Sequence, residues 1–309
     1  MSKFTRSLSW SKQLLLALQP FSSARQIAAR RWLAWRWLRG QADTIAFERD
    51  GVRWSGPVRS GITAALFANG NYQHESMPAI VEWLGRHQPR WSACRTLVNI
   101  GANIGDTCIG LARQTGKRVL ACEPVPELFR LLQANIAANN LDQRITCRQA
   151  AIATTIGEEE ILCPPEPEYS EMRCGAGRQG FHHPREGCQS YLVPTKTLDA
   201  WLDEENLTPS DVGLVWSDTQ GFESAVIASG ARLWQAGVPL WVEVWPKGLS
   251  AHGGVAQFLA LAQRYFTQFI PESRLAQAGA ASNADPVARL EPLVASLRGR
   301  AFTDVLLIP

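Results

Sequence analysis

The sequence predicts a doubly wound α/β fold, and three observations carry that prediction. Apolar runs alternate with helical segments from residue 96 onward, a pattern typical of parallel βαβ units. The first run leads into a glycine-containing turn, "NIGANIGDT" at 99–107, and open parallel sheets bind ligands beyond such a turn. An acid, Glu123, closes the second run. Together they predict a ligand site at the carboxyl edge of a parallel sheet.

Five successive elements form the first half of the predicted sheet. They are a strand at 96–100, a helix at 105–116, a strand at 118–124, a helix at 126–140 and a strand at 145–153. Gly116 is suited to end the first helix, and Pro126 to begin the second. Two crossover helices between three apolar strands imply that the strands run parallel.

The second half follows an irregular stretch, 163–190, which is rich in Pro, Gly, Cys and His. A loop of that length in a compact domain is usually functional or disordered, so we predict a substrate lid there. The predicted elements after it are a helix opening at 197–202, a strand at 212–218, a helix at 222–235, a strand at 239–245, a helix at about 254–267 and a final strand at 302–309.

Composition sets the broad class of protein. The 309 residues are 46% hydrophobic and 19% charged, which suits one large globular domain or two smaller ones. The net charge of +3 does not argue for a nucleic-acid partner. An odd number of cysteines, seven, without a secretory signal favours a reducing compartment. We therefore expect a cytoplasmic protein.

The first 42 residues differ from the rest, because they hold eight basic residues, no acidic residue and three closely spaced tryptophans. One interpretation is a helix that makes weak peripheral contact with a membrane. A helical wheel places Arg31 among apolar positions, which favours a helical extension on the main domain. An Arg- and Ser-rich transit peptide is a third interpretation. We predict an N-terminal extension at 1–70 and a main domain at 71–309.

The glycine turn indicates which ligand class the site accepts. Gly101 permits a tight turn, and Gly105 permits close approach of helix and strand. Glu123 is placed to accept hydrogen bonds from both ribose hydroxyls. A dinucleotide site would have glycine where Asn103 stands. The turn therefore favours a nucleoside without pyrophosphate, such as S-adenosylmethionine, over a nicotinamide cofactor.

Five separated segments resemble one known family. They are "VNIGANIGDT", "ACEPVPELFRLLQANIAANN", "KTLDAWL", "VWSDTQGFESAVIASGA" and "VEVWP". In this order they resemble the FkbM family of S-adenosylmethionine-dependent methyltransferases. The resemblance implies a class I methyltransferase fold, with a seven-stranded, mostly parallel sheet whose last strand is antiparallel. It also implies O-methylation of a hydroxyl, often on a sugar or natural product.

The resemblance also implies residue roles. The cofactor-binding residues would be Asn99, Gly101, Asn103 and Gly105 in the first loop, Glu123 on the ribose and Gln149 beside the adenine. The sequence departs from the usual family pattern at three positions. Asn99 replaces a common Asp, Trp216 a common Lys and Gln220 a common Glu.

Catalysis by such an enzyme requires alignment of the methyl group and removal of the acceptor proton. Asp218 is the first candidate for the base, Glu243 the second and Glu223 the third. A first-turn acid at position 223 would also suit the helix dipole. Asp218 and Glu243 could instead hold Mg²⁺. Two carboxylates supply few of the six oxygen ligands that Mg²⁺ requires, so we favour metal-free catalysis.

A zinc site is a further hypothesis, on the residues Cys174, His182, His183 and Cys188. Their spacing fits no common zinc motif, so we expect no metal site there. For the acceptor we expect a glycan or glycan-like hydroxyl compound. The alternatives are a polyketide, a peptide or a lipid head group, or a protein that binds the cofactor without catalysis.

Overall fold

The structure, a computed structural model, describes residues 24–70, 76–163, 175–176, 189–299 and 301–309. The described residues up to 70 belong to one compact unit, and those from 76 onward belong to a second, larger unit. Within the described residues, no helix combines the length and apolar character needed to cross a membrane.

The small unit consists of two helices and a β-hairpin. Its elements are α1 (Ala24–Leu38), β1 (Thr44–Arg49), β2 (Val52–Pro57) and α2 (Gly61–Asn69). The strands pair antiparallel across Asp50 and Gly51, which both have positive φ, at 53° and 71°, as a tight hairpin turn requires. Trp35 of α1 packs with Val58 and Ala64 in a small core. The sequence predicted the helical part of this unit but not the hairpin.

The larger unit begins with α3 (Met77–His87) and then enters the main βαβ units. Their elements are β3 (Thr96–Ile100), α4 (Asp106–Thr115), β4 (Arg118–Cys122), α5 (Pro126–Ala138) and β5 (Ile145–Arg148). The next elements are β6 (Ala151–Ile152), β7 (Gly157–Cys163), β8 (Gly175–Ala176), β9 (Gln189–Lys196) and α6 (Leu198–Glu204).

The second half returns to the main sheet. Its elements are β10 (Val212–Ser217), α7 (Glu223–Ser229), α8 (Ala231–Gln235), β11 (Leu240–Val244), α9 (Pro246–Ala251), α10 (Gly254–Tyr265), β12 (Gln268–Pro271), α11 (Glu272–Ala278), β13 (Asp285–Pro286), α12 (Leu290–Ser296) and β14 (Thr303–Ile308).

The main sheet confirms the predicted fold class. Its strand order is β13-β12-β14-β11-β10-β3-β4-β5. The run from β11 to β5 is parallel, and β14 is antiparallel to both of its neighbours. Seven strands with an antiparallel last strand were expected, and the two-residue β13 adds an eighth at one edge.

Two predicted elements are divided in the structure. The strand expected at 145–153 ends at Arg148, and Ala151–Ile152 pairs instead with β9 in a separate sheet of order β6-β9-β7-β8. The helix expected at 222–235 breaks at Gly230, where a Cβ would lie 2.7 Å from Leu198 Cδ2. Most of the predicted lid at 163–190 lies outside the described residues.

The two faces of the main sheet differ in character. Val98, Val215 and Val242 lie on a face that packs into the large hydrophobic core. Because side chains alternate along a strand, their neighbours Asn99, Trp216 and Trp241 project from the other face. The two tryptophans of that face contact each other, with ring centroids 5.3 Å apart. The polar side chains of the candidate site lie on this second face or just beyond the ends of its strands.

Candidate active site

The loop after β3 has the conformation that its glycines were predicted to allow. Gly101 has φ 78° and Gly105 has φ 101°. A Cβ on Gly101 would overlap the backbone carbonyl of Asp218, and one on Gly105 would lie 2.9 Å from Leu132 Cδ1. Gly101 is therefore required by close packing as well as by backbone conformation, and Gly105 is required chiefly by its backbone conformation.

Asn103 occupies the left-handed region with φ 49°, which asparagine tolerates better than most residues. Its side-chain oxygen accepts a hydrogen bond from the amide of Ile104 at 2.9 Å. Its own amide donates to Glu123 Oε2, also at 2.9 Å. Asn103 thus fixes the turn and connects it to the acid at the end of β4.

Glu123 is a buried and oriented carboxylate, with 4% of its surface exposed. Oε2 accepts from Asn103, and Oε1 accepts from the amide of Val125 at 2.9 Å. Burial raises the pKa of Glu123 to about 7, although both amide hydrogen bonds oppose the shift. Each oxygen retains acceptor capacity, so the group can accept hydroxyl donors from a ligand.

Asn99 is a buried amide whose acceptor is unused. Its Nδ2 donates to the carbonyl of Trp216 at 3.4 Å, while its Oδ1 has no hydrogen-bond partner. Leaving such a group unpaired costs about 1–3 kcal/mol. A ligand donor would recover that cost. Gln149, the other predicted cofactor residue, directly follows β5 and is half-buried.

The second loop of the site, residues 218–222, follows β10. The amide of Asp218 donates to the carbonyl of Ile100 at 3.1 Å, which ties this loop to the first one. Gln220, with φ 55°, donates from Nε2 to Asp218 Oδ1 at 2.7 Å and to Glu243 Oε2 at 3.0 Å. One carboxamide therefore bridges the two predicted catalytic carboxylates.

Burial controls the charge of these carboxylates. It raises the pKa of Asp218 to about 6, which the hydrogen bond from Gln220 opposes and the nearby Asp106 reinforces. The pKa of Glu243 lies well above its ordinary value because of burial, with Asp218 as the next cause. Two close carboxylates with few donors favour either a proton or a cationic ligand.

Glu223 has a different environment, although it is also fully buried. Its Oε1 accepts from the amide and hydroxyl of Thr219, at 3.3 and 3.0 Å, and from the amide of Gly221 at 3.1 Å. Burial raises its pKa to about 7. The structure thus places one oxygen of Glu223 on the backbone of the second loop, where it braces the turn that presents Asp218 and Gln220.

Asp304 was not predicted as a site residue from the sequence. In the antiparallel pairing of β11 and β14, Asp304 lies directly opposite Glu243, so both side chains project from one face. Burial raises the pKa of Asp304 well above its ordinary value, and Asp218 adds to the shift. The sequence did carry a signal for it. Because β14 runs antiparallel to β11, the beginning of β14 lies beside the carboxyl end of β11, so an acid near the start of the last strand is expected at the same edge as the site.

The start of α9 packs against the second loop, and this contact was also not predicted. A Cβ on Gly221 would lie 2.6 Å from the carbonyl oxygen of Gly248. Phe222 stacks on His252, with ring centroids 4.0 Å apart, and burial lowers the pKa of His252. The loop that carries Asp218 is therefore held by β3, through the Asp218 amide, and by α9 and His252, through Gly221 and Phe222.

Within the described residues, no group of three or more His, Cys, Asp or Glu side chains is arranged to hold a metal ion. The atom between Asp218 and Glu243 is the Nε2 donor of Gln220, which is not a metal ligand. The residues of the zinc hypothesis, Cys174, His182, His183 and Cys188, lie outside the described part of the chain.

The part of the chain that contains this site also matches a known protein family. The family model described as "Methyltransferase FkbM domain" matches residues 99–265, a span that includes both loops of the site. No match among curated proteins reaches significance.

Several solved structures are similar at low identity. TYW2 from M. jannaschii in complex with AdoMet is 11% identical, covering 86% of this chain and 84% of that one, with a TM-score of 0.40. Geranyl diphosphate methyltransferase in complex with SAM is 14% identical, covering 81% and 94%, with a TM-score of 0.38. The StiE O-methyltransferase is 14% identical, covering 76% and 72%, with a TM-score of 0.37.

Proposed function

The chain belongs to the FkbM family of methyltransferases, and from that premise we propose that it transfers a methyl group from S-adenosylmethionine to a hydroxyl of a glycan or glycan-like acceptor. The observation that carries this proposal is the bridge from Gln220 to Asp218 and Glu243. It positions a carboxylate pair beside the glycine loop, because the amide of Asp218 donates to Ile100 at the end of β3.

The residues of the first loop suit the proposed cofactor. Glu123 offers two oriented oxygens for ribose hydroxyls. Asn99 offers a buried acceptor without a partner, which suits the ammonium of the cofactor's amino-acid part. When bound, S-adenosylmethionine supplies a methyl group on a positively charged sulfur. The buried acids at this edge of the sheet complement that positive charge.

Asp218 is the proposed general base. Its carboxylate would accept the proton of the acceptor hydroxyl. The bound cofactor would supply the methyl group: the bond from that carbon to sulfur would break with its electron pair kept by sulfur, so that a neutral thioether leaves as the hydroxyl oxygen bonds the carbon. Gln220 holds Asp218 in position through the 2.7 Å hydrogen bond to Oδ1. Such proton removal contributes typically about 10²–10⁴-fold to the rate, and alignment by the two loops can contribute about 7–11 kcal/mol.

Metal-free catalysis suits this arrangement, since an N–H donor occupies the position between the two carboxylates. Family membership supports the glycan-type hydroxyl acceptor, and a carboxylate base suits a neutral alcohol. The alternatives are a polyketide, peptide or lipid head group as acceptor, or a protein that binds the cofactor without turnover.

Two measurements test the proposal together. Calorimetric titration with S-adenosylmethionine measures binding, and methyl release on cell extracts measures turnover. Binding with turnover supports the enzyme, whereas binding without turnover on any extract favours the non-catalytic alternative. Mass spectrometry of glycans from cells with and without the gene then identifies the acceptor, as the species that loses one methyl group. A loss confined to lipids, peptides or polyketides would overturn the glycan assignment.

A further inference from the structure

The helix α1 of the small unit presents two distinct faces. Trp35, only 2% exposed, packs on the unit's own core. Trp32 and Trp37 are instead 37% and 66% exposed. Five large hydrophobic side chains are exposed among the described residues, and these two tryptophans are the pair that shares one helix. Large exposed aromatics on one element indicate an interaction surface.

The outward face of α1 is also basic. Arg36 and Arg39 follow Trp32 by four and seven residues, so they share its side of the helix, and both are exposed. Leu33, which is half-buried, lies between Trp32 and Trp37 around the helix axis at 100° per residue. At 100° per residue, Trp32, Arg36, Leu33 and Trp37 follow one another over about 140° of the helix surface. The face is therefore a broad apolar strip interrupted by Arg36, with Arg39 at its edge.

The packing explains why a wheel of the whole helix gives a poor amphipathic pattern. One side of α1 is apolar because it covers the core around Trp35, and the other side is apolar because of Trp32 and Trp37. Arg31 is half-buried on the side that packs inward. Because apolar residues lie on two sides of one helix, the separation of apolar and polar residues onto opposite faces is weak.

Charge is strongly segregated along the chain. Eight of the 31 basic residues and none of the 28 acidic residues lie within residues 1–42, so the remainder carries a net charge of −5. An anionic surface therefore attracts this segment and repels the rest of the molecule.

We propose that the outward face of α1, defined by Trp32, Leu33, Arg36, Trp37 and Arg39, docks the protein on an anionic lipid surface. Tryptophan rings are favourable at the headgroup level of a bilayer, and arginines near anionic lipids strengthen the attraction. Lipid is favoured over nucleic acid, because a bilayer interface buries Leu33 along with both rings. A phosphate backbone would engage the arginines but leave that apolar strip exposed.

The test uses the full chain and sedimentation with two kinds of vesicle, one of phosphatidylcholine alone and one containing about a third phosphatidylglycerol. We expect binding to the anionic vesicles that 0.5 M salt largely abolishes, because the Debye length falls from about 10 Å at roughly 0.1 M salt to about 4 Å at 0.5 M. Trp32→Ala with Trp37→Ala should lower the partition constant at least tenfold. Arg36→Gln with Arg39→Gln should lower the partition constant about thirtyfold, because each basic residue near an anionic surface contributes about 1 kcal/mol to binding.

Matched controls keep the experiment decisive. Phe302→Ala removes an exposed aromatic from the larger unit, and Arg118→Gln with Arg130→Gln removes two exposed charges there. These variants should bind vesicles like the wild type. All the substituted side chains are exposed, so circular dichroism melts should remain unchanged and separate docking from folding.

Three results would overturn the proposal. They are equal binding to neutral and anionic vesicles, unchanged binding by the tryptophan or arginine variants, and tighter binding to a short RNA or DNA duplex than to anionic vesicles. None of these measurements depends on methyl transfer, so docking and the proposed activity fail independently.

Discussion

Gln220 occupies a position where the family commonly has glutamate, and its amide determines how the neighbouring acids are held. A carboxamide supplies two N–H donors that a carboxylate lacks. Here they serve Asp218 and Glu243 at 2.7 and 3.0 Å. The substitution therefore replaces a third acid with a group that separates the other two.

Gln220→Glu should raise the pH needed for activity. A third carboxyl in contact with Asp218 and Glu243 disfavours their ionised forms, so the rising limb of kcat/KM against pH should move upward by about one unit or more. Gln220→Met, of similar size but without donors, should lower kcat at every pH. Identical profiles for Gln220→Glu and the wild type would argue against any role of the bridge.

Asp218→Asn should separate catalysis from cofactor binding. We expect kcat to fall by about 10²–10⁴-fold, the usual contribution of a general base, with cofactor Kd nearly unchanged by calorimetry. In the wild type, kcat/KM should rise with pH through about 6, where Asp218 loses its proton. Wild-type turnover by Asp218→Asn would remove this residue from the mechanism.

Glu123→Gln should weaken cofactor binding without changing the base. One side-chain oxygen becomes a donor, which then faces the amide of Asn103 or Val125. The new donor also cannot accept a ribose hydroxyl, and a lost hydrogen bond to a charged group costs about 1.5–3 kcal/mol, so cofactor Kd should rise about tenfold or more by calorimetric titration. Glu158→Gln, at an exposed position on β7, provides the matched control and should bind like the wild type.

At the scale of elements, the parallel strands and their order of appearance could be predicted because each is a continuous apolar run. The family prediction is confirmed by the match over residues 99–265. The break at Arg148 could not be predicted, since Ala151–Ile152 is apolar enough for either sheet and its partner β9 lies far along the chain. The hairpin at Asp50 and Gly51 did carry a local turn signal.

The candidate site was predictable to a similar extent. The positions of loop residues such as Gly101 and Glu123 could be predicted, because each directly follows a parallel strand and the carboxyl ends of parallel strands meet at one edge of the sheet. Asp304 comes from the antiparallel β14, so its place opposite Glu243 depends on register. The bridge by Gln220 depends on a side-chain direction, which spacing does not encode.

Gly221→Ala should disrupt the second loop. Gly221 has φ 119°, and a Cβ there would lie 2.6 Å from the Gly248 carbonyl. Gly254→Ala is the matched control, because Gly254 has φ 89° but nothing within 4 Å of its Cβ position. We expect Gly221→Ala to lose about 1–3 kcal/mol more in urea unfolding than the control, with a larger loss of activity. Equal losses would mean that backbone strain alone matters.

At the scale of the whole molecule, the buried acids make stability depend on pH. Burial raises the pKa of Glu123 and of Glu223 from 4.5 to about 7, so the folded state binds more protons than the unfolded state between those values. The stability associated with each group is therefore present below about pH 4.5 and is lost as pH rises through about 7, by about 3 kcal/mol per group.

Urea unfolding between pH 5 and pH 8 should show this decline directly. Stability should be higher at pH 5 than at pH 8 by several kcal/mol, and S-adenosylmethionine should reduce the difference, because a cation offsets the buried negative charge. Glu123→Gln should flatten part of the slope. Stability that is constant or rises across this range would contradict the burial of ionisable acids at this edge.

The position of β14 has a consequence for how the molecule is made. This strand comes after every other strand in sequence, yet it lies inside the main sheet, between β11 and β12. While the chain is being synthesised, those two strands keep open edges until residues 303–308 leave the ribosome and insert between them. Asp304 arrives opposite Glu243 in the same step, so the acidic edge is assembled last.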